Sequence, residues 1–129
     1  MQQVLLIGAG GFLGAIARFL TSKYTSGLLG SFPLGTLVVN VTGSFMLGFI
    51  MYSILNDSRT ISPEFRSFVA IGFIGAFTTM STFAYESFRF LDLRDMLMFG
   101  LNISLNLILC FLAIYFGKEV AVLIGGLIK

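Results

Sequence analysis

The sequence predicts an all-α membrane protein of four transmembrane helices, the third of them broken at mid-membrane. Three observations carry that reading. Four uncharged runs, residues 1–17, 34–56, 67–85 and 96–117, each come near the roughly 20 residues that a bilayer core requires. Only 11% of the residues are charged, against about a quarter in soluble domains, and mean hydropathy is +0.97. Inside the third run, Thr78, Thr79, Ser81 and Thr82 follow Gly72 and Gly75, and Glu86 comes one turn later. A helix needs no such cluster to span. Glycines followed by hydroxyl residues let a membrane helix open and re-satisfy its freed backbone groups nearby, and broken helices are where ion sites are built.

The 129 residues make one domain, residues 1–129. The first helix is predicted over 4–22. A signal peptide would mimic it, but there is no basic leading region and Arg18 closes the run. The stretch Gly8-Ala9-Gly10-Gly11-Phe12-Leu13-Gly14 superficially matches a dinucleotide fingerprint. Its spacing is wrong, no strand precedes it, and no acidic residue lies about 20 positions on. Gly10 and Gly14 instead form a GxxxG pair, which lets a second helix approach closely.

A Gly/Ser-rich loop, 23–33, leads to helix two over 34–55. The polar connection 56–64 holds Asp57, Arg59 and Pro63. Helix three covers 65–90, with its break expected near 75–79. A charged link, 91–95, leads to helix four over 96–116, and the apolar tail 119–128 is too short to span again. It is expected to extend helix four or to lie at the interface.

Charge gives little orientation. Arg59, Arg66, Lys118 and Lys129 fall on one side, and Arg18, Lys23, Arg89 and Arg94 on the other. This balance leaves the positive-inside rule nothing to act on, so insertion both ways is expected. The net charge of +2 forms no nucleic-acid patch. One cysteine, Cys110, excludes an intrachain disulfide, and without histidine a transition-metal site of the usual kind is not expected.

The candidate functional residues are polar groups in apolar spans. Arg18 either snorkels to the headgroups or draws anions toward a vestibule. Asn40 either hydrogen-bonds between helices, worth about 0.6 kcal/mol, or lines an ion path. Asn102 and Asn106 stand i, i+4 on one face, with Cys110 continuing the stripe. Met80 and Phe83 are packing residues or, for the ring, a positive edge that favours an anion. Glu86 can cap, pair or titrate. No nucleophile, base and oxyanion set can be assembled around it, which argues against an enzyme.

The segments 10–19, 40–45 and 75–83 with Glu86 together resemble the CrcB-type (Fluc) fluoride channels, in order and at family spacing across three of the four helices. The resemblance implies a bacterial plasma-membrane protein that exports fluoride, built as an antiparallel, dual-topology homodimer with two pores. It implies a pore asparagine at Asn40, an arginine at Arg18 and two pore aromatics at positions 80 and 83. The first of these is Met80 here, a polarisable thioether without a ring edge. It also implies a structural sodium ion at the dimer centre, held by backbone carbonyls of Gly75 and Thr78. Fluoride only accepts hydrogen bonds, so Asn40, Thr82, Asn102 and Asn106 are expected to offer donors in series, with amide oxygens turned away. A small dual-topology drug/proton antiporter is the alternative. It needs an embedded carboxylate, and helix one has none. A purely structural membrane subunit leaves the polar cluster of helix three without a purpose.

Overall fold

The structure, a computed structural model, describes residues 1–56 and 61–127. Arg59 and Lys129, counted in the charge balance, lie outside the described residues, as does Asp57. Among the described residues there is no strand, and four helical segments are long and apolar enough to cross a membrane.

Helix α1 spans Gln2–Thr25, and the N–H of Ser26 closes it on the Ser22 carbonyl at 2.9 Å. The turns that follow use Gly27 at φ 81° and Gly30 at φ 63°, a region that residues with a Cβ adopt at a cost. Pro33 then precedes α2, Leu34–Asn56. Helix α3 covers residues 63–77. It opens on Ser62, whose hydroxyl accepts from the Phe65 N–H at 3.2 Å, with Pro63 in the first turn where no donor is missed. Its middle, Ser67–Ile74, is wound as a π-helix.

The chain leaves the helix at Thr78 (φ −80°, ψ 158°) and Thr79 (φ −151°, ψ 110°). Helix α4, Met80–Asp92, begins on Thr79, whose hydroxyl accepts the Thr82 N–H at 3.2 Å. Arg94 at φ 57° makes the tight link, and the Asp95 carboxylate accepts from the Met98 N–H at 3.1 Å at the start of α5, Met96–Leu127. The tail therefore extends the last helix. Its 32 residues reach about 48 Å at 1.5 Å each, well beyond a hydrocarbon core of about 30 Å. No proline interrupts it, and the small buried residues Ala113, Gly117 and Ala121 keep it packed.

Two close helix pairs make the core. Helix α1 lies on the π-helical part of α3, where a Cβ on Gly10 or Gly14 would collide with the carbonyls of Phe68 and Phe73. Helix α2 lies along α5, with a Cβ on Gly48 only 2.6 Å from the Ile114 carbonyl oxygen. Small residues at these crossings let backbones meet, which supplies the dispersion contact that lipid cannot displace. Large apolar side chains such as Phe12, Phe19, Phe111 and Leu123 point outward, where acyl chains replace water as the solvent.

Candidate functional site

The site begins with a backbone donor. Because Thr78 and Thr79 are extended, the Thr79 N–H does not close a helical bond. It donates instead to Asn40 Oδ1 at 2.8 Å, across from α2. That contact fixes a series of others. A backbone N–H can only donate, so Asn40 must turn its oxygen to Thr79 and its Nδ2 the other way. Nδ2 then donates to Asn106 Oδ1 at 3.1 Å and back to the Thr79 carbonyl at 3.3 Å.

The line of amides continues along α5. Asn106 Nδ2 donates to Asn102 Oδ1 at 3.1 Å and to the Asn102 carbonyl at 3.0 Å. Asn102 Nδ2 donates to Ser87 Oγ at 3.0 Å, and the Ser87 hydroxyl donates to the Phe83 carbonyl at 2.8 Å. A polar ladder of three amides and a hydroxyl thus joins α2, α5 and α4. Asn102 is fully buried and Asn106 is 4% exposed, so the ladder has little competing water. Satisfied networks of this kind are stiff because each unmade bond leaves a desolvated group.

Beside the ladder lies a cavity of about 300 Å³ whose lining includes Asn40, Thr79, Met80, Phe83, Asn106 and Cys110. Met80 is 72% exposed and Phe83 only 7%, so within one chain the thioether is open and the ring is covered. A second cavity, about 400 Å³, includes Ser22, Thr36, Thr82, Glu86 and Arg89. There Glu86 Oε1 accepts from the Thr36 hydroxyl at 2.9 Å, while Oε2 is buried with no hydrogen-bond partner among the described residues.

The structure therefore gathers Asn40, Met80, Phe83, Asn102 and Asn106 at one place, and Thr82 with Glu86 at a neighbouring one. Arg18 is half-buried on α1 and lines neither cavity. One expectation changes. The asparagines are expected as donors in series with their oxygens turned away, yet the amide oxygens accept along the ladder, and Asn40 Nδ2 has two protein acceptors. The physical reason is burial: an amide oxygen taken from water needs a donor, and the nearest donors are the other amides. Thr82 differs. Its hydroxyl oxygen accepts from Thr79 Oγ1 at 2.9 Å, its proton meets no acceptor among the described residues, and the residue is exposed.

Ser87 has no place in the sequence reading, and Thr79 enters it only as part of the hydroxyl cluster at the expected break. Thr79 carried a signal, since a threonine three residues before a helical N–H is a capping pattern. Ser87 carried none. Its contact with Asn102 exists only once α4 and α5 pack.

Two carbonyls fit a cation with carbonyl ligands. The Gly75 oxygen loses its helical partner because the Thr79 N–H goes to Asn40. The Thr78 oxygen loses its own because the Thr82 N–H goes to Thr79 Oγ1. Gly75 is exposed on the chain's surface, and a Cβ there would meet nothing within 4 Å. Among the described residues no group of three His, Cys, Asp or Glu could hold a metal ion.

The family described as "CrcB-like protein, Camphor Resistance (CrcB)" matches residues 5–118. The chain is 49% identical over 118 residues to a fluoride-specific ion channel FluC of Methanococcus maripaludis, covering 92% of this chain and 94% of the relative. It is 45% identical over 119 residues to fluoride-specific ion channel FluC 1 of Methanosarcina acetivorans (92% and 89%), and 47% identical over 116 residues to FluC of Campylobacter lari (88% and 93%). Four membrane-grade helices, the small-residue crossings of α1 and α2 and the match over residues 5–118 agree: the chain belongs to the CrcB-like protein family.

Proposed function

We propose that the protein is a fluoride-selective channel that lets fluoride leave the cell across the plasma membrane. The observation that carries this is Asn40. Its amide joins the helix interruption at Thr79 to the buried ladder of α5 and borders the cavity that Met80 and Phe83 share. Fluoride is small, strongly hydrated and acceptor-only. A path for it needs donors that replace water and no fixed cation strong enough to trap it. Thr82 offers a free hydroxyl proton, and Asn40 can exchange its 3.3 Å bond to the Thr79 carbonyl, the longest in the ladder, for a bond to the ion. Liposomes containing only this protein should release fluoride at least a hundredfold faster than chloride, measured by ion-selective electrodes, a discrimination of about 2.7 kcal/mol. Equal release of both ions would rule out a selective fluoride path. Proton-coupled cation uptake without fluoride release would favour an antiporter.

The working unit we infer is an antiparallel homodimer with two pores, its third span interrupted at mid-membrane. Support comes from the balanced flanking charge and from the exposed apolar surface of α1. Single cysteines placed in the 56–64 connection, in a Cys110→Ser background, should be labelled by an impermeant maleimide from both sides of the membrane. Labelling from one side alone would remove dual topology.

A structural sodium ion belongs to the same proposal, with Gly75 and Thr78 as the residues that would hold it through backbone oxygens. Such an ion supplies positive charge to carbonyls that no N–H satisfies, as at other unwound helices. Protein kept in bulky-cation buffer free of sodium should lose more than half of its flux or of its dimer, and added sodium should restore both. Undiminished flux with no measurable sodium bound would eliminate the ion.

A further inference from the structure

Helix α2 carries a polar stripe that runs past Asn40. Thr36, Asn40 and Ser44 stand at i, i+4 and i+8, on one face of the helix and about 6 Å apart along it. Thr36 lines the cavity that holds Glu86, and Asn40 and Ser44 both line the cavity beside the amide ladder. The first two side chains are engaged. The Thr36 hydroxyl donates to Glu86 Oε1 at 2.9 Å, and Asn40 Nδ2 donates to Asn106 Oδ1 and to the Thr79 carbonyl. Hydroxyls elsewhere on α2 bond to the carbonyl four residues back, Thr42 to Val38 at 2.7 Å and Ser53 to Phe49 at 2.8 Å. Ser44 does neither. It is half-buried, and its hydroxyl has no hydrogen-bond partner among the described residues.

We propose that Ser44 is a further ion-binding residue of the fluoride path: its hydroxyl takes the ion on from Asn40, one turn further along α2. The donors of the cavity lining decide this. Asn106 Nδ2 is committed to the Asn102 carbonyl and Oδ1, the Thr78 hydroxyl to the Ile74 carbonyl, and the Thr79 hydroxyl to Thr82. Asn40 must break a bond before it can hold an ion. Among the described residues Ser44 is the one hydroxyl or amide of this lining whose proton is uncommitted.

Its level in the membrane fits the role. Asn40 faces Asn106 and Gly48 faces Ile114, so Ser44 falls level with Cys110 on α5, whose thiol is only a weak donor. Beyond that level the wall is made by Leu47, Phe111 and Ile114, whose side chains donate nothing. An anion gives up its water only where donors replace it. Without Ser44, an ion leaving Asn40 meets an apolar wall and one weak donor. A single neutral hydroxyl also binds weakly enough to let the ion go.

The proposal rests on the fluoride reading, and its test separates the two. Ser44→Ala removes the hydroxyl and keeps a good helix former. Thr42→Ala is the matched control: it removes a hydroxyl two residues away that lies outside the cavity and is bonded to Val38. In liposomes Ser44→Ala should lose about tenfold in fluoride flux, and Thr42→Ala should stay within about twofold of wild type. Both should elute as wild type does in size-exclusion chromatography. Silver ion, small and thiophilic, probes the same position directly. In a Cys110→Ser background and chloride-free buffer, silver should stop flux through a Ser44→Cys channel and spare both the background and its Thr42→Cys derivative. A Ser44→Cys channel already as slow as Ser44→Ala before silver is added would support the proposal, since a thiol donates weakly. Ser44→Ala protein that conducts like Thr42→Ala would overturn it, as would silver leaving an active Ser44→Cys channel untouched. Wild-type protein that passes no fluoride would instead sink the fluoride reading itself.

Discussion

Replacing Asn40 by aspartate should abolish fluoride efflux. Asn40 Nδ2 lies 3.3 Å from the Thr79 carbonyl and 3.1 Å from Asn106 Oδ1, so an ionised carboxylate would set an acceptor against two acceptors. It would also put a negative charge beside the path of an anion. At 4 Å and an effective dielectric constant of 20, two unit charges interact by about 4 kcal/mol. Each ~1.4 kcal/mol is a factor of ten in rate, so a loss of a hundredfold or more is expected from charge alone. The measurement is fluoride release from liposomes, with size-exclusion chromatography to show that the variant elutes as wild type does. A folded Asn40→Asp protein that conducts at the wild-type rate would take Asn40 out of the ion path.

Gly10→Val should cost the fold itself. A Cβ at Gly10 collides with the Phe68 carbonyl and comes within 2.9 Å of the Phe73 amide nitrogen. Both obstacles are backbone, so no rotamer change relieves them. Overpacking in cores costs about 1–3 kcal/mol when side chains can yield. Here the two helices must separate, and a cost at or above the upper end is expected, against a total stability of about 5–15 kcal/mol for folded domains. Heating in detergent, followed by size-exclusion chromatography, should show a midpoint at least 10 °C lower, or no folded peak. Gly8→Val is the control. It lies two residues away, on the opposite side of the same helix, with nothing within 4 Å of its Cβ, and it should melt like wild type. Equal behaviour of the two variants would contradict the close crossing of α1 and α3.

These two residues also mark how far the sequence could be read. Gly10 and Gly14 were legible as a crossing because a bilayer gives helices no hydrophobic reason to associate, and close backbone approach is one of the few alternatives. Which carbonyls they meet was not legible. The π-helical winding of Ser67–Ile74, which brings those carbonyls to α1, has no signature in an apolar run. Asn102 and Asn106 were legible as one face from their spacing, since periodicity is a local property. That Asn40 joins the same face depends on how α2 lies along α5, which Gly48 and Gly117 permit but do not announce. Between the two courses the sequence leaves to the tail after 116, extension of the last helix or a place at the interface, the structure takes the first, with α5 running to Leu127. The tail contains good helix formers, and bilayer thickness limits a span without limiting a helix.

The sequence by itself determined the class of protein: four spans, their order, the small-residue crossing on α1 and the polar cluster in the third span. It did so because lipid offers backbone groups no partners, and apolar helices are the simplest solution. Tertiary structure alone decided what the polar residues do. Asn40, Asn106, Asn102 and Ser87 come from three helices, and each amide could have faced either way. Their direction was chosen by backbone groups with fixed roles: the N–H and carbonyl of Thr79, which packing brings to Asn40, the Asn102 carbonyl at Asn106 and the Phe83 carbonyl at Ser87.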